Sequence, residues 1–496
     1  MFGLPFEKFK KVWVYAPTDF SSLNEIETRQ SQDVKRLIEE HRKGIERELG
    51  CPFEFTNDIH IEGAKWIIGP ARCNPMIQAL GHTPSTTSSL FLDREKGILI
   101  CDGDNPEEVT DTYSYLRSLS RFKDGLWVIK DCDSIDEAIE RIFLEVETSY
   151  PAFDLRKLNW KEISTRHIPL VKSAAEPIAA MQRWLAELSD AHTWVRPFPP
   201  YGNFPYDLVS DGNSLRFYRI AEDSMAWKKG VRPGHALMNG NIQEWTERAG
   251  ASFHSKPFVI GTRSLATKLG EKRKFIVKSD HGQIIEWEES PTSDRWSPMI
   301  EWRKLSSGNG YIKIKVWLLG KSFEEQIDYI FKELQNSPRL IVDLRSNPGG
   351  NLLLSHEFRN RFLKVDGPIG LIQTTLPDGK LSEKEEIYGV MSPPEKRWNN
   401  EVVFLTDPLS YSASEDAILG LQGQAHVRVI GQNSGGGSGR MRNLKLLPGW
   451  RLSISTSLTF DLEGNCIEGS GVTVDHRFPL SFDSEDLIYE ADRLVW

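Results

Sequence analysis

Apolar residues recur in this chain with two different rhythms. Between residues 24 and 49, Ile26, Val34, Leu37, Ile38, Ile45 and Leu49 fall near a 3.6-residue period, which predicts one long helix closed by Gly50. Around it the short runs "KVWVYAP", "KWIIGPA", "SSLFLDRE", "GILICDG" and "LWVIKD" predict strands, so residues 1–150 read as alternating α and β. Residues 155–195 are predicted helical, with Ile178, Met181, Leu185 and Leu188 on one face, up to the proline boundary of "LSDAHTWVRPFPP". Short strands and turns follow from about 200 to 300. After 310 the pattern changes again. "YIKIKVW" alternates Ile312, Ile314 and Val316 with lysines, and Ser322 to Glu325 has the capping-box form before a helix with Phe323, Ile327, Ile330 and Leu334. "LIVDLRSNPGGN", the helix of "NLLLSHEFRNRFL" and the strand "VVFLT" continue the βαβ order of a largely parallel sheet.

At 496 residues the chain is too long for one ordinary core, and roughly 150 residues per domain implies about three. The expected division is an N-terminal α/β domain (1–150), a helical segment (151–197), a small β module (198–300) and a C-terminal α/β core (301–496). A net charge of -9 with 26% charged residues offers no excess of cations to neutralise phosphates, so nucleic acid is not an expected partner. No apolar run approaches the roughly 18 residues of a membrane span, and the start "MFGLPFEKFKKVWVYAP" lacks a signal-peptide pattern, so a cytoplasmic location away from membranes is expected. Five widely spaced cysteines without a C-x-x-C pair argue against a disulfide framework and a zinc site. With no H-E-x-x-H motif either, neither a metal nor a cofactor is expected. The turns "GPARCNP" and "CDGDNP" are ordinary turn chemistry, and residues 1–150 carry no catalytic signature. Oligomeric state is not readable from the chain.

The chemistry concentrates in "DPLSYSASED", where Ser410, Ser412 and Ser414 follow a buried strand. Ser412 and Glu415 fit S-x-x-E, the pattern of a helix cap. The same helix start offers free N–H groups and the positive end of the dipole, which would stabilise an oxyanion. Acyl transfer requires a base and donors aimed at the oxyanion, and the glycines of "NPGG" allow close approach of a second N–H. A nearby base is missing, because "GQNSGGGSGR" has Gly437 where G-x-x-x-x-G-K-S would place its lysine; the same glycine excludes a phosphate-binding loop. The next lysine, Lys445, lies in the strand-like "NLKLL". Arg440 or Arg442 could meet a substrate carboxylate, or be solvated surface charge.

The stretch "LRFYRIAEDSMAWKKGVRPGHALMNGN" resembles a PDZ domain, with His235 after the Pro-Gly pair where an acidic residue is usual, and the resemblance implies capture of peptide ends by strand addition. Three ordered motifs, "LIVDLRSNPGGN", "VVFLTDPLSYSASEDAILGLQGQAHVRVIGQNSGGGSG" and "CIEGSGVTVD", resemble the C-terminal processing, or tail-specific, protease family, which includes the tricorn core protease and the retinoid-binding photoreceptor repeats. The resemblance spans roughly residues 155–480 and implies a crotonase-like α/β core with Ser412 as nucleophile. In the processing branch the base is a lysine, at the position of Gly437. The tricorn branch uses a histidine instead, and "LSDAHTWV" nominates His192, with Glu468 of "IEGSGV" as its carboxylate partner. The amides of Gly349 or Gly350 and of Ala413 would form the oxyanion hole. Ala191 stands where that branch has a serine linking histidine to glutamate, which leaves Glu468 or Asp190 to orient His192, and Lys445 as the alternative base. The expected function is a serine endopeptidase acting on peptides or partly unfolded proteins through an acyl-enzyme. A non-catalytic peptide- or ligand-binding protein and an esterase using the same serine are the alternatives.

Overall fold

The structure, a computed structural model, describes residues 3–293, 296–318, 323–437 and 439–495. The expected long helix is broken: Glu25–Glu40, capped by Asn24 and Glu27, gives way at His41 (φ -103°, ψ 16°) to Arg42–Leu49, which ends at Gly50. The break lets Val34 and Ile38 of the first segment and Leu49 of the second all reach one core. That core lies on a six-stranded sheet ordered Phe53–Phe55, Val12–Tyr15, Ala64–Ile68, Ile98–Asp102, Ser89–Asp93, Gly125–Val128, parallel over the first four strands and antiparallel over the rest.

The same core continues into the helices Ile135–Ser149, Trp160–Ser173 and Pro177–Ala186, where Trp160 and Trp184 stack with ring centroids 5.1 Å apart. It also takes in Leu444, Leu452 and Ile454 from a three-stranded sheet in which Trp450–Ser455 lies between Met441–Lys445 and Trp194–Pro197. Residues 194–197 are therefore a strand rather than the end of a helix. Trp194 and Val195 favour extended backbone, and pairing with Trp450–Ser455 satisfies their peptide groups. His192 lies in the turn before this strand.

Residues 206–289 form a five-stranded antiparallel sheet with its own aromatic core, including Phe204, Phe217, Phe275 and Trp287. The helix Lys256–Ser264 lies hard against the edge strand Tyr206–Ser210, and a side chain at Gly261 would collide with the carbonyl of Leu208.

The second large sheet is ordered Ile300–Lys304, Gly310–Ile314, Arg339–Asp343, Glu401–Thr406, Val427–Gly431, His476–Arg477, parallel except for its first strand. All five residues of Arg339–Asp343 are buried, as expected of a strand covered on both faces. The helix Phe323–Leu334 packs Phe323, Ile327, Ile330 and Leu334 on this sheet; its proposed cap, Ser322, lies outside the described residues. A smaller sheet places Gly367–Thr374 between Glu385–Gly389 and Ser457–Phe460. Arg29–Glu324 (2.5 Å), Arg36–Glu357 and Arg47–Glu385 tie the N-terminal helices to the C-terminal half. Among the described residues all five cysteines are free thiols, and no helix is long and apolar enough to cross a membrane.

Candidate active site

The strand Glu401–Thr406 delivers the chain to a turn in which nearly every polar group is bound. Asp407 Oδ1 accepts the N–H groups of Ser346, Leu409 and Ser410 at 3.0, 2.9 and 3.1 Å, and its Oδ2 accepts the hydroxyl of Tyr218 at 3.0 Å. Ser410 donates its hydroxyl to Leu344 O, while Ser414 donates to Asn347 O and accepts from Trp317 Nε1. Both serines are fully buried, and only Ser412 of the three is half-buried.

Ser412 has φ 58° and ψ -123°, a conformation costly for a residue with a Cβ and typical of strained functional turns. Glu415 holds it there. Its carboxylate accepts the N–H groups of Ser412 (3.0 Å), Gly436 (2.8 Å) and Gly437 (2.9 Å) and the hydroxyl of Ser434 (2.7 Å). Burial pushes the Glu415 carboxyl up to about 7 against the pull of these donors. The S-x-x-E pattern is thus a clamp between the serine turn and the glycine loop.

The "NPGG" turn packs directly on the serine. Gly349 (φ 101°) and Gly350 (φ 134°) adopt backbone conformations open to glycine, and a Cβ on Gly349 would lie 2.6 Å from Ser412 Cβ. Gly349 already donates its N–H to Asn347 Oδ1 at 3.0 Å. The N–H groups of Gly350 and Ala413 have no acceptor among the described residues, which leaves them free for an incoming oxygen.

His192 is buried, with Nδ1 unpaired among the described residues. Its backbone N–H donates to Asp190 Oδ1 at 2.8 Å, and Asp190 Oδ2 accepts the hydroxyls of Thr193 (2.6 Å) and Ser455 (2.7 Å). Asp190 therefore fixes the main chain of His192 and has no bond to its ring. Burial lowers the pKa of His192 below the ordinary value, opposed by Asp190 and Asp416, so the neutral imidazole is favoured at pH 7.

Glu468 is bonded through Oε1 to Arg156 Nη2 at 2.6 Å, while its Oε2 is unpaired. Burial pushes its carboxyl up to about 8; Asp190 adds to this and Arg156 opposes it. No hydrogen bond joins His192 to Ser412 or to Glu468 among the described residues. Tyr411 lies by both, its ring meeting the imidazole edge-on at 4.8 Å between centroids and its hydroxyl raised first by burial and then by the charges of Asp190, Glu468 and Glu415.

Tyr411 also accounts for the missing lysine. A side chain at Gly437 would fall on the Tyr411 phenol, and one at Gly435 would strike the same ring. Lys445 faces away, 3.8 Å from Asp111 of the N-terminal region, and does not serve the turn. Neither arginine is solvated charge or ready for substrate: Arg440 pairs with buried Asp416 at 3.1 Å, and Arg442 with Glu145 at 3.1 Å and Ser149 Oγ at 2.6 Å. Sequence reasoning missed Tyr411 and Arg156; the alternate glycines at 435 and 437 were the available sign that a bulky group lies against that loop. Among the described residues no His, Cys, Asp and Glu cluster could hold a metal ion. A cleft of about 230 Å³ lined by His254, Pro408, Gln432, Asn433, Ser470 and Arg477 opens beside the loop, where His254 Nε2 lies 2.8 Å from Ser434 O.

Residues 308–478 match the model of peptidase family S41. The structure is similar to mature CPAF (13% identity, 73% of this chain and 97% of that one, TM-score 0.54) and to mature CPAF complexed with lactacystin (13%, 72% and 96%, 0.53). It is also similar to the photosystem II D1 C-terminal processing protease (14%, 72% and 97%, 0.49). At 13% identity the likeness to the two CPAF structures speaks for the fold. The sequence match is what classifies the region holding Ser412, Glu468 and both glycine turns: residues 308–478 are a peptidase family S41 domain, that of a serine-type peptidase.

Proposed function

We propose that the protein is a serine endopeptidase that cleaves peptides or partly unfolded proteins through an acyl-enzyme, with Ser412 as nucleophile, His192 as base and Glu468 as the carboxylate that favours the charged imidazole. The observation that carries this reading is Ser412 itself: a strained, half-buried serine beside two N–H groups unused among the described residues, with its neighbours Ser410 and Ser414 fully bound. In the proposed reaction Ser412 Oγ attacks the scissile carbonyl as His192 takes its proton. The N–H groups of Gly350 and Ala413 hold the oxyanion, and the proton then passes to the leaving amine. Water, deprotonated by His192, releases the acyl group and restores the serine. Fixed N–H donors suit a carbonyl substrate, and buried neutral His192 suits a base.

In this reading the C-terminal core is crotonase-like and the 206–289 sheet is a PDZ-like module presenting peptide to the cleft. The bond from Tyr218 to Asp407 supports a mechanical link between that module and the serine turn. A second reading, a binding protein without turnover, is favoured by one observation: no hydrogen bond connects His192 to Ser412 among the described residues. Such bonds are often long before substrate seats.

Labelling with a fluorophosphonate, with the adduct mapped by peptide mass, tests the two readings. An adduct on Ser412 that is lost in His192→Ala is expected; folded protein that forms no adduct supports the binding reading. Turnover of peptide against simple ester substrates then separates peptidase from esterase.

A further inference from the structure

His192 Nδ1 and Glu468 Oε2 are two polar atoms on buried side chains, 6% and 7% exposed, that lack partners among the described residues. Leaving such groups unpaired is costly, so each is expected to acquire a partner in the working state. Asp190 makes no bond to the ring among the described residues: its Oδ1 accepts the His192 backbone N–H and its Oδ2 the hydroxyls of Thr193 and Ser455. Arg156 serves Glu468 through the other oxygen only. Position 191, where the resemblance places a linking serine, is alanine. A polar group in contact with the histidine and under the influence of the glutamate is the hydroxyl-bearing ring of Tyr411. Gly435 and Gly437 make room for that ring, since a side chain at either would strike it.

We infer that Tyr411 is a positioning residue for the proposed reaction, its phenol hydroxyl bridging His192 Nδ1 and Glu468 Oε2 when substrate is bound. The inference rests on the nucleophile-and-base reading above. In the bridge, His192 Nδ1–H donates to the phenol oxygen and the phenol O–H donates to Glu468 Oε2, which accepts whether the carboxyl is ionised or carries its proton on Oε1. This fixes the tautomer that leaves Nε2 free to take the Ser412 proton, and no proton leaves the tyrosine. Burial raises the phenol well above its ordinary value, so the hydroxyl stays protonated and can donate and accept at once.

The test is the rate of fluorophosphonate labelling of Ser412 in the full chain, followed against pH for wild type, Tyr411→Phe, Glu468→Gln and the double variant. Tyr411→Phe keeps the ring that packs on Gly435 and Gly437, and a thermal melt checks that it is folded. The expected result is a rate lowered about 10²-fold, the low end for a positioned proton-transfer partner. Because the bridge acts as a unit, Glu468→Gln should slow the wild type but add little to Tyr411→Phe. A Tyr411→Phe rate and pH profile equal to wild type would overturn the inference, as would effects of the two substitutions that simply multiply. Absence of a Ser412 adduct in wild type is a separate outcome that overturns the nucleophile reading and the role of Tyr411 with it.

Discussion

The serine side and the histidine side of this site are built to opposite specifications. Around Ser412, Asp407 and Glu415 each collect several donors, and Ser410, Ser414 and Asn347 are tied to backbone. Around His192, the imidazole Nδ1 and Glu468 Oε2 are buried without partners among the described residues. A fully satisfied network is rigid and can hold a backbone strained. An under-satisfied one keeps hydrogen-bonding capacity for a later state. On the proposed reading, the nucleophile and its N–H donors are preorganised, while the proton path is completed on binding.

The largest effect that would sharpen this contrast comes from Ser412→Ala. Turnover should fall by a factor on the order of 10⁶ while the melting temperature hardly changes, because the hydroxyl has a chemical role and the clamp from Glu415 reaches the backbone. Calorimetry beside a turnover assay checks both halves; a large drop in melting temperature would break the contrast. On the other side, kcat/KM should rise as pH climbs through a value below 6.5 and then level, because burial lowers the His192 pKa and only the neutral ring is a base. In His192→Gln the residual rate should lose that step. A wild-type step well above pH 6.5 would contradict the burial argument.

Glu415→Gln keeps the shape of the clamp but turns an NH₂ group toward a donor, which should cost about 2–3 kcal/mol and slow labelling of Ser412. The folded carboxyl titrates near 7, above its ordinary value, so the folded state binds the extra proton. Its stabilising contribution is full below about pH 4.3 and is lost as pH rises through 7. Denaturant titrations of the two proteins should therefore differ most in slope across that interval. Gly437→Ala drives a methyl into the Tyr411 phenol and should cost about 1–3 kcal/mol, relieved in part by Tyr411→Ala. The smallest effect is Tyr218→Phe, about 1 kcal/mol from one bond to Asp407. A change in turnover beyond that in stability would show that the 206–289 sheet bears on the serine.

Much of the architecture was legible from periodicity. Alternation at Ile312 and Ile314 and the apolar run before "NPGG" mark strands because burial on a pleated surface demands them. The break at His41 and the strand at Trp194–Pro197 were not, because the first depends on how one helix bends over a core and the second on a partner strand more than 250 residues away. Among the candidate site residues, Ser412 and the glycine turns stood out as local motifs. Gly349 and Gly350 looked equivalent until Asn347 was seen to hold the N–H of Gly349. Asp190 looked like a partner for the imidazole, and instead binds its backbone.

By itself the sequence determined most of the strands and helices, the turn that carries Ser412, and the absence of a lysine at 437, since each follows from side chains close together in the chain. Only the tertiary structure decided that Tyr411 fills the space beside Gly437, that Arg156 reaches Glu468, and that Glu415 joins two loops. Those relations depend on burial and on contacts across up to 312 residues of chain, which no local pattern encodes.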